Sequence, residues 1–107
     1  MSPTPESEAN LELVPERFAV RAGDREVVLT PTQYRLVAVL VGEPNRVFNR
    51  AELVEQAIGT LVEERTVDVH IKEIRRKLGL SGGRIEAVRG RGYRYRGETA
   101  RPTGANE

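Results

Sequence analysis

The strongest constraint on the fold of this chain is an apolar stripe at helical spacing in its second half. Four aliphatic residues recur at intervals of four, three and four positions: Val67, Ile71, Ile74 and Leu78. This spacing puts all four on one face of an α-helix, and Gly79 follows where a glycine commonly ends one. The pattern predicts a helix over about residues 64–78 that packs this face against a core.

An antiparallel sheet is predicted ahead of that helix. The run Leu11–Val14 alternates between apolar and polar residues, Pro15 interrupts it, and residues 18–21 resume the alternation. An Ala-Gly-Asp turn at residues 22–24 precedes a further strand-like run at residues 26–29. Three short antiparallel strands are the simplest account.

Two more helices are predicted between the sheet and the third helix. Each begins at the spacing of a capping box, in which two side chains satisfy amide groups of the first turn. The two pairs are Thr30 with Gln33 and Asn49 with Glu52. The residues expected to be buried are Tyr34, Val37, Leu40 and Val41 in the first helix, and Leu53, Val54, Ala57 and Ile58 in the second.

A basic hairpin is predicted after the third helix. The stretch VRGRGYRYR, residues 88–96, contains four arginines, and the strand-like runs 85–88 and 93–96 flank a Gly-Arg-Gly turn. Because the glycines allow a tight turn, we expect Arg91 to project from the tip, where it can enter a minor groove or contact phosphates. An RGG-like RNA-binding segment is the alternative, which the strand-forming residues on both sides disfavour.

Charge is divided unequally along the chain. The formal net charge is +1, yet residues 1–64 carry six Lys/Arg and eleven Asp/Glu, whereas residues 65–107 carry eleven and five. A basic second half indicates a polyanion as partner. A solvated charged surface without a ligand is the other interpretation.

Composition narrows the class of protein. The 107 residues suffice for one domain, and a sequence without cysteine excludes disulfides and thiolate metal sites and suits a reducing compartment. No apolar run approaches the roughly 18 residues of a membrane span, so we expect a cytoplasmic protein. The predicted organisation is a flexible leader at residues 1–10, one domain at 11–96 and a flexible tail at 97–107.

The outer face of the third helix is mainly cationic. Opposite the apolar stripe lie Arg65, Val69, Lys72 and Arg76, with Thr66 and Glu73 to one side. A solvated helix usually mixes charges into pairs four residues apart, and Asp68 with Lys72 is expected to form such a pair. The other interpretation is a recognition helix in a major groove, where Lys and Arg meet phosphates or guanine and Glu accepts from cytosine.

Three stretches together resemble a known family. They are LTPTQYRLVAVLVGEPNRVFNRAELV at residues 29–54, ERTVDVHIKEIRRKLG at 64–79 and IEAVRGRGYRYR at 85–96. They look like the winged-helix DNA-binding domain of OmpR/PhoB-type bacterial response regulators, over about residues 11–96. The resemblance implies an α+β fold: a winged helix-turn-helix with an N-terminal antiparallel sheet, three helices and a C-terminal β-hairpin wing.

The resemblance also implies a partner and a mode of binding. In that family the third helix enters the major groove of double-stranded DNA, and the hairpin is a wing at the minor groove. Members bind tandem direct repeats as head-to-tail pairs, which a separate receiver domain controls by phosphorylation. We therefore expect a monomer in solution, a head-to-tail dimer on DNA and no cofactor. Because the leader is too short for a receiver, the chain is either part of a longer regulator or a stand-alone module.

The DNA contacts that the resemblance implies fall on the third helix and the wing. Positions that usually touch phosphates, or support such contacts, are matched by Arg65, His70, Lys72 and Arg75. Val69 and Glu73 match groove-reading positions, and Arg89 matches the arginine that reaches from the wing strand. Thr66, Arg76 and Arg91 complete the predicted DNA-binding set because of their outward positions.

Three departures from the family pattern bear on these roles. Glu73 stands where a basic residue is frequent, so we expect a different base preference. The segment 59–64 between the second and third helices is short, and Ile58 replaces a common Trp. Since that loop and that Trp often contact RNA polymerase or the DNA backbone, these departures leave both roles open, with RNA polymerase kept as a candidate second partner.

Two partners are open for Glu73. A neighbouring cation such as Lys77, four residues along the helix, would give the carboxylate a structural role. A cytosine amino group in the major groove would give it a role in base recognition. The second is favoured, because the matching family position reads bases.

Other classes of function are disfavoured. His70 is the sole histidine of the sequence, which leaves no recognisable catalytic constellation, and no GxxxxGK[ST] phosphate-binding motif occurs. We therefore predict no catalytic residue, and no metal site because His70 lacks partner ligands. A winged helix that binds protein instead of DNA is the remaining class, and on the outer face only Glu73 favours it.

Overall fold

The computed structural model describes residues 10–59 and 63–97. The predicted flexible leader, except Asn10, and the predicted tail, except Gly97, lie outside the described residues. So do residues 60–62 of the short segment between the second and third helices.

The N-terminal part is the expected three-stranded antiparallel sheet. Its strands are β1 (Leu11–Val14), β2 (Ala19–Ala22) and β3 (Arg25–Val28), in the order β1-β2-β3. A 3₁₀ turn at Pro15–Arg17 joins the first two strands. The sheet packs one face on the core through Val20 and Ala22 of β2, and Ala19 is buried as well.

Phe18 departs from the prediction, which made it the first residue of the second strand. Its φ of 49° is left-handed, and its amide donates to the carbonyl of Pro15 at 3.2 Å. The strand therefore begins one residue later. The Phe18 ring meets the ring of Tyr34 edge-on, with 5.8 Å between centroids.

Three helices follow the sheet, and both capping boxes form as predicted. The helices are α1 (Pro31–Gly42), α2 (Arg50–Leu53, continued by a π-helical turn over Val54–Ile58) and α3 (Arg65–Leu78). At the start of α1, the side chains and amides of Thr30 and Gln33 bond reciprocally at 3.1 Å. Asn49 and Glu52 do the same at the start of α2, at 2.8 and 2.9 Å.

The buried face of α1 is rotated from the predicted one. Leu36 and Gln33 are buried beside Val37 and Leu40, while Tyr34 and Val41 are half-buried. Gln33 enters the core because its side-chain oxygen has two donors, the amide of Thr30 and the Lys77 ammonium at 2.9 Å. In α2 the prediction holds more closely: Leu53 and Ala57 are buried, and Val54 and Ile58 pack at the edge of the core.

The stripe on α3 is confirmed. Its four aliphatic residues are at most 1% exposed, whereas Val69 on the opposite face is 67% exposed. Because α1 and α2 pack on the apolar face, the cationic face of α3 remains open to solvent.

The C-terminal hairpin consists of β4 (Ile85–Val88) and β5 (Gly92–Tyr95), and a 3₁₀ segment at Gly79–Arg84 connects it to α3. Phe48 and Tyr93 exchange two backbone hydrogen bonds of 2.8 and 2.9 Å, which form a single bridge between the segment before α2 and β5. A Cβ on Gly92 would lie 1.9 Å from the Phe48 carbonyl oxygen. The hairpin is thus fastened to the segment that leads into α2.

No helix within residues 10–59 and 63–97 is long and apolar enough to cross a membrane.

Candidate nucleic-acid interface

Contacts at its C-terminal end hold α3 in place. Arg25 Nη2, from the start of β3, donates to the carbonyl oxygen of Leu78 at 2.8 Å, where a cation also complements the helix dipole. Lys77 donates to Gln33 of α1. Together with the buried stripe, these contacts fix which side chains α3 presents to solvent.

Lys72 and Arg75 are exposed on the outer face of α3. Within the part of the chain that the structure describes, neither forms a hydrogen bond or an ion pair. Both line an open groove between α3 and the 3₁₀ segment that follows it, with Arg76, Leu80 and, from β5, Tyr93 among the other lining residues. An unpaired ammonium and guanidinium at a groove are suited to a phosphate group.

The four arginines of the hairpin divide into two pairs with different roles. Arg94 and Arg96 both bind the carboxylate of Glu86, at 3.0 and 2.8 Å. Arg89 and Arg91 lie exposed in the turn and have no partner among the described residues. Half of the basic stretch therefore stabilises the hairpin, and the other half is available at its tip.

Glu86 is held ionised by its two arginines. Burial alone would raise the pKa of Glu86, but the hydrogen bonds from Arg94 and Arg96 outweigh it and lower that pKa below its usual value. At neutral pH the carboxylate thus pairs with both arginines and offsets one of their two positive charges.

Asp68 joins α2, α3 and the hairpin. Its Oδ1 accepts hydrogen bonds from Arg50 Nε at 2.8 Å and from the hydroxyl of Tyr93 at 2.5 Å. The Arg50 guanidinium also lies 5.5 Å from the centroid of the Tyr93 ring. The prediction of an Asp68–Lys72 pair is wrong. Asp68 binds Arg50 and Tyr93 instead, because the hairpin covers this flank of α3.

Asp68 and Tyr93 shift each other's pKa. Burial would raise the pKa of Asp68, but the hydrogen bonds from Tyr93 and Arg50 outweigh it and lower that pKa. Burial and the neighbouring carboxylate raise the pKa of the Tyr93 hydroxyl. The hydroxyl stays a donor and the carboxylate an acceptor.

Glu73 has a cation as its partner in the structure, but a different one from Lys77. Arg76 Nε donates to Glu73 Oε1 at 3.2 Å, and Arg76 Nη2 donates to Glu73 Oε2. The hydrogen bond from Arg76 lowers the pKa of Glu73. Lys77 instead binds Gln33, because its position turns towards α1. The cytosine contact of Glu73 stays a prediction.

The ten predicted DNA-binding residues all lie on α3 or in the hairpin turn. Seven are exposed: Arg65, Val69, Lys72, Arg75, Arg76, Arg89 and Arg91. Thr66, His70 and Glu73 are half-buried on one flank. Arg65 donates to Glu63 at 2.7 Å, an exposed pair of the kind that contributes little to stability. Among the described residues, no three His, Cys, Asp or Glu form a group that could hold a metal ion.

Two residues of the interface were missed by sequence reasoning. Arg50 pairs with Asp68, and Glu86 pairs with Arg94 and Arg96. Neither Arg50 nor Glu86 belongs to the predicted set. Arg50 lies 18 residues from Asp68, so no helical spacing links them. The alternating positions of Glu86, Arg94 and Arg96 in a predicted hairpin were the one available signal for the second cluster.

Comparison with known proteins agrees with the fold. The family model described as transcriptional regulatory protein, C terminal, matches residues 24–95. The phosphate regulon transcriptional regulatory protein PhoB of Klebsiella pneumoniae is 39% identical over 89 residues, covering 79% of this chain and 39% of the relative. The chain thus spans about two fifths of that relative's length.

Solved structures are similar over most of the chain. The DNA-binding domain of response regulator AdeR, in complex with an intercistronic region, has a TM-score of 0.72 and 31% identity, covering 82% of this chain and 95% of that one. The DNA-binding domain of Klebsiella pneumoniae RstA, in complex with RstA box, has a TM-score of 0.68 and 26% identity, covering 80% of this chain and 90% of that one.

Proposed function

Because the chain belongs to the family of C-terminal domains of transcriptional regulatory proteins, with the winged-helix fold of OmpR/PhoB-type response regulators, we propose that it binds double-stranded DNA sequence-specifically to regulate transcription. One observation carries the proposal: four cations without a partner among the described residues are presented by α3 and the tip of the hairpin. They are Lys72, Arg75, Arg89 and Arg91.

In this proposal α3 lies in the major groove. A helix of 14 residues is about 21 Å long, and a B-DNA major groove of about 12 Å width admits an α-helix. The outer face would then place Val69 and Arg76 towards base edges, with Lys72 and Arg75 at phosphates. Arg65, Thr66 and His70 would support the contacts at the N-terminal half.

The hairpin is the wing of the proposed complex. Its turn, with Arg89 and Arg91, would reach the adjacent minor groove or its phosphates. The links from Tyr93 to Asp68 and to Phe48 hold this wing against α3, so both basic elements would contact one duplex together. The two solved relatives in complex with DNA support a DNA partner of this kind.

The mode of assembly is also part of the proposal. We propose that the domain is monomeric alone and pairs head to tail on tandem repeats, as the effector part of a two-component regulator in the cytoplasm. Since the curated relative is longer than this chain, a receiver domain in the full protein would supply the control by phosphorylation.

A mobility-shift titration tests the function. A pool of random duplex DNA is the probe, and bound duplexes are recovered and sequenced. We expect a shift that weakens with salt and enrichment of one site. No shift at low salt would contradict DNA binding and favour a protein-binding module.

Two double variants with equal loss of charge sharpen this test. Lys72→Ala with Arg89→Ala should abolish the shift. Arg17→Ala with Arg21→Ala should preserve it, because those arginines lie in the 3₁₀ turn and on β2 of the N-terminal sheet and pair with Glu26 and Glu12. Equal loss in both variants would mean that net charge, not the proposed interface, governs binding.

A further inference from the structure

We propose that Arg76 reads a guanine in the major groove and that Glu73 is the residue that positions it. This inference rests on the proposed function. The resemblance gives Glu73 a groove-reading position but does not pair it with Arg76; that pairing follows from how the two side chains meet.

Arg76 is at the centre of the solvent-facing side of α3. It lies opposite the buried stripe, its side chain is 70% exposed, and it lines the groove beside the wing. Glu73, one turn earlier, engages it through two hydrogen bonds. The guanidinium is therefore both accessible and fixed in direction.

The edge of the Arg76 guanidinium that Glu73 binds determines which N–H donors remain free. A guanidinium has five N–H donors in a planar fork. Glu73 takes the side edge, formed by Nε and one hydrogen of Nη2. The end edge, one hydrogen on Nη1 and the other on Nη2, is left pointing away from the carboxylate.

Two parallel donors match guanine. In the major groove guanine presents two acceptors, N7 and O6, and bidentate arginine is their commonest partner. Adenine presents the N6 amino donor in place of O6, so one N–H of Arg76 would face another donor there. The free end edge thus discriminates guanine from adenine.

The ion pair also makes Arg76 a poor phosphate contact. Its charge is offset by Glu73, whereas Lys72 and Arg75 beside it carry uncompensated charges among the described residues. Holding the guanidinium before binding reduces the conformational entropy that ordering a long side chain would cost. Glu73 therefore improves selectivity more than overall affinity.

The experiment begins with the site that the 107-residue chain selects from random duplexes. Affinity is measured on that site and on each single-base variant. For Arg76→Ala we expect the preference for one guanine over adenine to fall about five- to a hundredfold. Glu73→Ala should lower the preference at the same base pair, and Glu73→Gln, which keeps one acceptor for Arg76, should restore part of it.

Two comparisons distinguish positioning from other roles. In the Arg76→Ala background, Glu73→Ala should leave the preference at that base pair unchanged, because there is no guanidinium left to orient. Arg75→Ala, a matched loss of one arginine from the neighbouring position, should weaken binding equally on every variant. Unfolding by urea monitors whether any variant perturbs the fold.

Three results would overturn the inference. Equal weakening on all variants by Arg76→Ala would make it a phosphate contact. A preference for cytosine that depends on Glu73 in the Arg76→Ala background would make Glu73 the reader. If the wild-type chain selects no site at all, the proposed function fails and the inference fails with it. If the chain selects a site but either of the first two results is found, only the inference fails.

Discussion

Tyr93 on β5 donates a hydrogen bond from its hydroxyl to Asp68 on α3. The wing and the recognition helix are thereby joined side chain to side chain, in addition to the backbone bridge between Tyr93 and Phe48. Because Arg50 binds the same carboxylate oxygen, three elements meet at Asp68. Asp68 thus connects the wing and α2 to α3.

The Tyr93–Asp68 bond is tested by removing one oxygen. Tyr93→Phe should lower the free energy of unfolding by about 1 kcal/mol, a modest loss because the side chain of Asp68 is 40% exposed and water can replace the donor. In urea titrations, Tyr93→Phe and Asp68→Asn should be non-additive. Tyr95→Phe is the matched control: its hydroxyl binds Leu11 and Asn10, so its effect should add to that of Asp68→Asn. Additivity in both cases would contradict the link.

The stabilisation from Asp68 should depend on pH. Since its hydrogen bonds lower the pKa of Asp68 in the folded state, the carboxylate stabilises the fold above its unfolded pKa of about 3.9. That contribution is lost as pH falls through the lower, folded pKa. The difference in unfolding free energy between wild type and Asp68→Asn should therefore be constant near neutral pH and shrink below about pH 4. A difference that grows on acidification would contradict this sign.

The elements were predictable because each is specified by residues close together in sequence. Both capping boxes and the α3 stripe are relations over three to eleven positions, and the structure bears them out. The face of α1 was misplaced because burial of Gln33 depends on Lys77, 44 residues away. No local period records that contact.

The charged groups show the same division. Sequence spacing predicted the helix and the hairpin, the family resemblance selected most of the ten proposed residues on them, and all ten lie on α3 or in the wing turn. The sequence did not show which cations form ion pairs. Asp68, for example, binds Arg50 and the Tyr93 hydroxyl and does not bind Lys72. Pairing between side chains on different elements depends on how those elements pack, which only the three-dimensional structure shows.

The close approach of Gly92 to Phe48 gives a stability prediction. Gly92→Ala should lower the free energy of unfolding by about 3 kcal/mol or more, because the added Cβ would overlap the Phe48 carbonyl and φ is 138°. Gly83→Ala is the control, with no heavy atom within 4 Å of the built Cβ, and should change the unfolding free energy by less than about 1 kcal/mol. Equal effects in urea titrations would argue against a wing fastened at Phe48.

The salt dependence of DNA binding should distinguish the cations proposed to contact phosphates from a cation that is paired with a carboxylate. With about five phosphates neutralised, log K should fall against log salt with a slope of roughly −4 to −5. Lys72→Ala and Arg75→Ala should each flatten it by about one on every duplex. Arg96→Ala removes the same charge, but Arg96 is paired with Glu86, so this variant should change the slope by much less. An unchanged slope in Lys72→Ala and Arg75→Ala would remove both from the phosphate contacts.

Val69 offers a test in which the DNA is changed instead of the protein. It is an aliphatic side chain on the cationic face of α3, 67% exposed, so packing does not explain its apolar character. In a major groove, apolar side chains contact the C5-methyl group of thymine. Val69→Ala should leave the unfolding free energy within about 0.5 kcal/mol of wild type while weakening binding to the selected site.

Replacing single thymines of that site by uracil removes only the methyl group. At one position, uracil should weaken wild-type binding and leave the affinity of Val69→Ala unchanged, because the variant has already lost the contact. Uracil at the other positions should affect wild type and Val69→Ala alike, which serves as the internal control. If every uracil substitution lowers the affinity of both proteins equally, Val69 does not contact a thymine methyl, and its exposed position on α3 has another cause.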